Sequence, residues 1–273
     1  MKKILLVFDG NHFSDGAFQM VTFLNEFDPI MVTGVFLQPI DYRDVIGYSG
    51  MGSASPITVM PFHTDEELIS ENMKKFENKC IHAGIEFRSH KDTDLFALQE
   101  LQTETRFADL MILSGELFYD NVGKDQPNEY LKKILRQTEC PVLIVPESYE
   151  LPTRILLSYD GKSDSVFAIK QFTYLFPQFY QWETKLLTLE EEDEPLPHQE
   201  LIEELASKHF SNLTIEVLPS ISDRSFAKWI SDQRGYLLVS GAYGRSELSN
   251  LFKKSFLAEV IEIHKIPVFI AHK

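Results

Sequence analysis

The sequence contains few cysteines and few basic residues, and it has no long apolar run. Cys80 and Cys140 lie far apart without a CxxC spacing, so we predict neither a disulfide framework nor a zinc site. The 26 Lys and Arg residues against 41 Asp and Glu leave a net charge of −15, which argues against binding nucleic acid or anionic membrane. The apolar residues 4–8 are too few for an export signal, and no run approaches the roughly 20 residues of a membrane span. These absences predict a cytoplasmic protein.

The 273 residues contain an internal repeat. KILLVFDG at 3–10 returns as RILLSYDG at 154–161, an offset of 151 residues. LSG at 113–115 and PVLIV at 141–145 return as VSG and PVFIA, both at an offset of 126. The second copy is therefore 25 residues shorter in its middle, the difference between the two offsets. We predict two similar domains, 1–147 and 152–273, since a recurring pattern of this length indicates repeated structural units.

Each copy alternates short apolar runs with amphipathic stretches. The runs are continuous rather than alternating, as in strands buried on both faces of a parallel sheet. We therefore predict an α/β fold in which each copy is an open five-stranded parallel sheet with helices on both faces. Besides the helix that follows the first strand of each copy, helices are predicted near 64–83, 95–105, 129–137, 197–209, 225–232 and 255–264.

Two of the recurring motifs fall where a ligand site is expected. Asp-Gly follows the first strand and Ser-Gly follows the fourth strand of each copy. In parallel sheets, ligands bind beyond the carboxyl ends of the strands. The alternative interpretation of Asp-Gly is a plain turn between a strand and a helix.

The segment after the fourth strand of the second copy is a candidate phosphate site. Gly241 and Gly244 permit close backbone approach, Arg245 adds a cation, and Ser255 begins a predicted helix whose free N–H groups favour an anion. The pattern is neither a P-loop nor a dinucleotide-binding GxGxxG.

These features resemble the universal stress protein family, specifically its tandem members. The resemblance rests on the βαβαβαβαβ alternation of strands and helices, the Asp after the first strand, and the family signature of Gly, two residues, Gly, nine residues, Gly, then Ser or Thr. Gly241, Gly244 and Ser255 match this signature, whereas Lys254 replaces its third Gly. Lys254 either blocks the approach of a phosphate or adds a second cation to it.

The resemblance implies ATP or a related adenine nucleotide as the ligand of the second copy. In ATP-binding members, the Asp after strand one and a residue at the end of strand two hold the adenosine, which implies Asp160 and Leu189 here. The signature residues hold the phosphates. The complete predicted set is Asp160, Gly161, Leu189, Ser240, Gly241, Gly244, Arg245, Lys254 and Ser255.

The first copy has lost the phosphate motif. The offset of 126 places Phe118, Tyr119, Asn128 and Glu129 where the second copy has Gly244, Arg245, Lys254 and Ser255. A carboxylate beside a triphosphate is electrostatically unfavourable. We therefore predict that the first copy binds no triphosphate, and that Asp9 is a helix-capping turn residue.

Other segments are assigned more simply. The Gly-rich segment 41–63 is a surface loop or, alternatively, a lid or partner-binding segment. The acidic run 190–194 is a solvated connection or a cation site. Cys140 is a buried apolar filler rather than a nucleophile. With no HExxH and no GxSxG motif, we predict neither a metal nor a catalytic residue.

The sequence thus predicts a stress-response regulatory protein that binds an adenine nucleotide in its second copy. The alternative is a scaffold that binds no nucleotide and acts through protein partners. Enzymatic activity, at most a weak ATPase, ranks third because no general base or metal ligand set is evident. In the resembled family the last strands pair across a twofold axis, which implies an intrachain pseudo-dimer here; a homodimer of chains remains open.

Overall fold

The computed structural model describes residues 1–9, 12–37, 66–92, 97–115, 135, 137–190, 196–219, 228–229, 232–241 and 265–271. The loop 41–63 and the helix predicted at 255–264 lie outside these residues. The helices predicted at 129–137 and 225–232 lie largely outside them.

The described elements alternate as the repeat predicts. The first half contains β1 (Lys2–Asp9), α1 (Asp15–Phe27), β2 (Ile30–Leu37), α2 (Glu66–Ala83), β3 (Glu86–Asp92), α3 (Ala97–Thr105), β4 (Leu110–Ser114) and β5 (Val142–Val145). The second half contains β6 (Arg154–Ser158), α4 (Ser163–Leu175), a 3₁₀ turn (Pro177–Phe179), β7 (Glu183–Glu190), α5 (Gln199–His209), β8 (Asn212–Pro219), β9 (Tyr236–Gly241) and β10 (Val268–Ala271).

The ten strands form one sheet in the order β3-β2-β1-β4-β5-β10-β9-β6-β7-β8. Neighbouring strands are parallel within each half. The halves meet where β5 and β10 pair antiparallel, with Leu143 opposite Phe269. The predicted fold class, including the intrachain pseudo-dimer, is confirmed.

The antiparallel junction sets the direction of each half. Because every other pairing is parallel, the carboxyl ends of the first five strands lie at the same end of the sheet as the amino ends of the last five. The chain leaves β5 at Val145 and enters β6 at Arg154, so it connects the two halves along that end of the sheet.

The sheet is buried because helices cover it. All five residues of β4 and all four of both β5 and β10 are buried, which explains their uninterrupted apolar sequences. In α1 the buried residues Ala17, Met20, Val21 and Leu24 recur at intervals of three and four, as on one face of a helix.

An aromatic cluster joins the two halves on one side of the sheet. Phe179 stacks on Trp182 with ring centroids 3.9 Å apart, and both rings contact Phe23 and Phe27 of α1. Phe172 connects this cluster to Phe269 of β10, at a centroid distance of 5.3 Å. The halves are therefore held together by side chains as well as by strand pairing.

Phe269 takes part both in the pairing of β5 with β10 and in the aromatic packing between the halves. We therefore expect Phe269→Ala to lower the free energy of unfolding by about 3–5 kcal/mol. Its side chain is fully buried against Phe172 and Phe176. Urea unfolding followed by circular dichroism measures the change. Phe107, which is 71% exposed, provides the control, because Phe107→Ala should change stability by about 0.5 kcal/mol or less. Equal midpoints for the two variants would contradict this assignment.

Candidate functional site

The predicted site lies at the carboxyl ends of β6, β7 and β9. Ser158 pairs with Leu187 and Leu157 pairs with Val239, so the same register places Asp160 level with Leu189 and Gly241 level with Tyr159. The fold thus brings five of the nine predicted residues to one edge: Asp160, Gly161, Leu189, Ser240 and Gly241. Gly244, Arg245, Lys254 and Ser255 lie outside the described residues, so their placement stays a prediction.

Asp160 connects the end of β6 to the first turn of α4. Its Oδ1 accepts hydrogen bonds from the Lys162 N–H at 3.1 Å and from the Ser165 hydroxyl at 2.7 Å. The Lys162 ammonium lies 3.5 Å from Oδ2, and 38% of the Asp160 side chain remains exposed. The carboxylate is therefore held in position by the turn while solvent still reaches it.

The repeated serine has different roles in the two halves. Ser14 is the N-cap of α1 and its hydroxyl accepts from the Ala17 N–H at 3.0 Å. Its counterpart Ser165 lies inside α4 and donates to Asp160 instead. In the repeat frame, α4 therefore begins three residues earlier than α1, which the sequence comparison did not predict.

Pro197 packs against the turn that contains Asp160 and Gly161. The sequence analysis did not include Pro197 in the site. The Tyr159 hydroxyl donates to the Pro197 carbonyl at 2.7 Å. Gly161 has φ +73°, and a Cβ on it would lie 2.7 Å from the Pro197 Cβ. Burial, together with the Asp160 charge, raises the pKa of Tyr159. The only sequence signal for this contact is that Pro197 is the first residue of the helix predicted at 197–209; the observed α5 begins two residues later, at Gln199.

Gly241 allows β9 to approach α4 closely. A Cβ on Gly241 would lie 2.4 Å from the Asp164 carbonyl carbon and 2.5 Å from the Ser165 nitrogen. Next to it, Ser240 is buried and its hydroxyl donates to the Gly241 carbonyl at 3.3 Å. The glycine thus has a packing role regardless of any ligand.

The same edge of the first half is filled with phenylalanine. Phe8 stacks on Phe13 and on Phe36, each at a centroid distance of 4.8 Å. Phe76 packs edge-on against Phe8 and Phe36, with a centroid distance of 6.0 Å to each. By the repeat and the strand register, the second half has Tyr159 in place of Phe8, Thr188 in place of Phe36 and Ile202 in place of Phe76. The two halves therefore differ in the core beneath the edge: the first is aromatic, and the second carries hydroxyl groups.

The motif residues expected to inactivate the first half, Phe118, Tyr119, Asn128 and Glu129, lie outside the described residues. Among the described residues, the halves differ in the core beneath this edge.

An open groove of about 770 Å³ lies elsewhere, along α2 of the first half beside Phe18. Lysines line it, but Lys75 and Lys79 each lie 3.0 Å from Asp15. Although burial opposes it, hydrogen bonding to Lys79 and Lys75 lowers the pKa of Asp15. Because these charges already compensate one another, we do not assign the groove as an anion site.

Fold and edge geometry together define a tandem α/β protein with two pseudo-symmetric halves. No family model matches the chain. The universal stress protein Slr1230 of Synechocystis sp. is 23% identical over 284 aligned residues, covering 98% of this chain and 99% of that protein. The crystal structure of a universal stress protein from Archaeoglobus fulgidus superposes with a TM-score of 0.63 at 16% identity, covering 100% of this chain and 96% of that one. The resemblance to tandem universal stress proteins is thereby confirmed.

Within the part of the chain that the structure describes, no helix is long and apolar enough to cross a membrane. Among the same residues, no cluster of three or more His, Cys, Asp or Glu side chains could hold a metal ion.

Both cysteines are buried free thiols. Burial raises the pKa of Cys80 to about 12 and that of Cys140 to about 11. Because the thiolate is the reactive form, we expect neither thiol to react with Ellman's reagent at pH 8 in the folded protein, and both to react in urea. Rapid reaction of the folded protein would contradict the burial of these side chains.

Because β9 approaches α4 so closely at Gly241, a larger side chain there should destabilise the protein. Gly241→Ala should lower the free energy of unfolding by about 1–3 kcal/mol, because β9 and the backbone of α4 must move apart. Thermal unfolding measures the change. The control is Gly84→Asn, where φ is +64° and a Cβ would meet no atom within 4 Å. Asn tolerates this conformation, so its cost should stay below about 1 kcal/mol.

Proposed function

We propose that this protein is a stress-response regulatory protein that binds ATP or another adenine nucleotide at the carboxyl edge of its second half. The observation that carries the proposal is the difference between the halves at this edge. Beside the accessible carboxylate of Asp160 the second half has Tyr159 and Thr188, whereas the first half has Phe8 and Phe36 at the positions of those two residues and keeps Asp9 at that of Asp160. The names of the relatives support the stress-response role.

The described residues fit an adenosine better than they fit a phosphate. Asp160 is fixed through Oδ1, and the β6–β7 register places its backbone level with that of Leu189, so these two positions are the ones that we assign to the ribose and the base. We assign the phosphates to Gly241, Gly244, Arg245 and Ser255, with Ser240 and Gly161 supporting the surrounding turns. Lys254 either blocks the approach of the phosphates or adds a second cation to them.

Charge favours the second half over the first. Residues 1–150 hold 13 basic and 24 acidic residues, net −11, whereas the rest hold 13 and 17, net −4. A triphosphate is therefore repelled less by the second half. We place this function in the cytoplasm and assign it to one chain acting as its own pseudo-dimer.

A second candidate is a scaffold that binds no nucleotide. The contact of Gly241 with α4 and the bonds of Asp160 within its own turn favour it, since both motifs then have structural roles alone. Under this alternative the protein acts through a protein partner.

Isothermal titration with ATP distinguishes these functions. We expect the wild-type chain to bind one ATP, and Gly244→Phe to weaken binding at least about tenfold, because it introduces the residue that the first copy has at this position. The matched control is the reverse change in the first copy, Phe118→Gly, which should leave affinity and stoichiometry unchanged.

Equal heats from wild type and Gly244→Phe would overturn the assignment to the second half. If no heat appears and nucleotides cause no thermal shift, the scaffold is favoured. ATP turnover above background that Asp160→Ala abolishes would instead indicate an enzyme.

A further inference from the structure

We propose that the connection between the halves, residues 146–149, is a strap that holds the first turn of α1 and closes the carboxyl edge of the first half. The antiparallel pairing of β5 with β10 brings this connection to that edge. The proposal concerns the first half and does not depend on nucleotide binding in the second.

Three contacts join the strap to Gly16, the second residue of α1. The Gly16 N–H donates to Glu147 Oε2 at 3.3 Å. The Tyr149 hydroxyl donates to the Gly16 carbonyl at 3.2 Å. A Cβ on Gly16 would lie 2.3 Å from the Pro146 carbonyl oxygen and 2.8 Å from the Glu147 Cα, so only glycine permits this approach.

The Glu147 carboxylate lies at the amino end of α1, where negative charge is favoured. The first N–H groups of a helix have no acceptor within the helix, and the helix dipole attracts negative charge there. Glu147 supplies a carboxylate from the same chain. Its other oxygen, Oε1, is buried without a hydrogen-bond partner among the described residues.

Tyr149 makes the second hydrogen bond between the strap and Gly16. Burial and the neighbouring Glu147 carboxylate both raise the pKa of this tyrosine, so its hydroxyl stays protonated and available as a donor at neutral pH. Beyond Tyr149 the chain turns to the amino edge of the second half, where the Thr153 N–H donates to the Gly235 carbonyl at 2.9 Å. The strap thus contacts the first half, and the chain that follows it is bonded to the second.

The second half has no equivalent contact in the part of the molecule described. The first turn of α4 is bonded instead to Asp160 from its own turn and packed by Gly241. The covalent connection passes over the first half because that half's carboxyl edge lies at the same end of the sheet as the start of the second half.

Residue-resolved amide hydrogen exchange of the full chain, without nucleotide, tests the strap. Glu147→Ala removes the acceptor of the Gly16 N–H, so protection of this amide should fall on the order of tenfold or more. Glu147→Gln keeps an acceptor oxygen, and protection should fall by less than about threefold. Glu150→Ala, an exposed glutamate three residues further on, is the matched control and should leave Gly16 unchanged.

Unchanged Gly16 exchange in Glu147→Ala would overturn the proposal. Should Glu147→Ala unfold the chain, the amide of Leu156 in β6 would lose protection as well. In that event Tyr149→Phe decides, because it removes a single bond of the strap. Faster exchange of residues 16–18 alone supports the proposal, and exchange equal to wild type overturns it.

Discussion

The antiparallel pairing of β5 with β10 is the constraint on which the rest of this structure depends. It is short, with three residue pairs in register, and it is apolar on both sides. It converts two parallel five-stranded sheets into one sheet of ten, and it reverses their direction. The aromatic contacts of α1 with Phe179 and Trp182 stabilise this arrangement, because they join the same two halves on one side of the sheet.

This reversal makes two similar halves unequal. In a dimer of separate identical chains both carboxyl edges are equivalent, but here the connecting chain passes over only one of them. The first half has a strap at that edge and phenylalanine beneath it, whereas the second half has an accessible Asp160 with hydroxyl-bearing residues beneath it. Strap and aromatic core thus both distinguish the carboxyl edge of the first half from that of the second among the described residues.

Glycine positions show how function and packing overlap at these edges. Gly16 and Gly241 both lie where a strand end or connection touches the backbone of a helix start. A glycine in a nucleotide motif is usually interpreted through the ligand that it admits. Here Gly241 is already required by the approach of β9 to α4, so its presence is compatible with either of the functions discussed above.

The sequence alone was sufficient for the fold class, because the repeat, the uninterrupted apolar strands and their alternation with helices are local properties. The sequence predicts strands at 30–37, 110–114, 142–145 and 268–271, which are the observed bounds of β2, β4, β5 and β10. It predicts a strand only at 185–189 for β7, which extends from Glu183 to Glu190 because it pairs on both sides with β6 and β8. The Asp-Gly and Ser-Gly motifs located the carboxyl edge for the same reason.

Contacts between distant segments were decided only by the tertiary structure. Pro197 on Gly161, Glu147 on Gly16 and Gly241 on α4 join residues whose proximity depends on the direction of the sheet and the path of the connection. No periodicity or spacing in the chain encodes that path. The sequence therefore determined the two repeated units and their strands, and the packing of one unit against the other determined which edge the connection crosses.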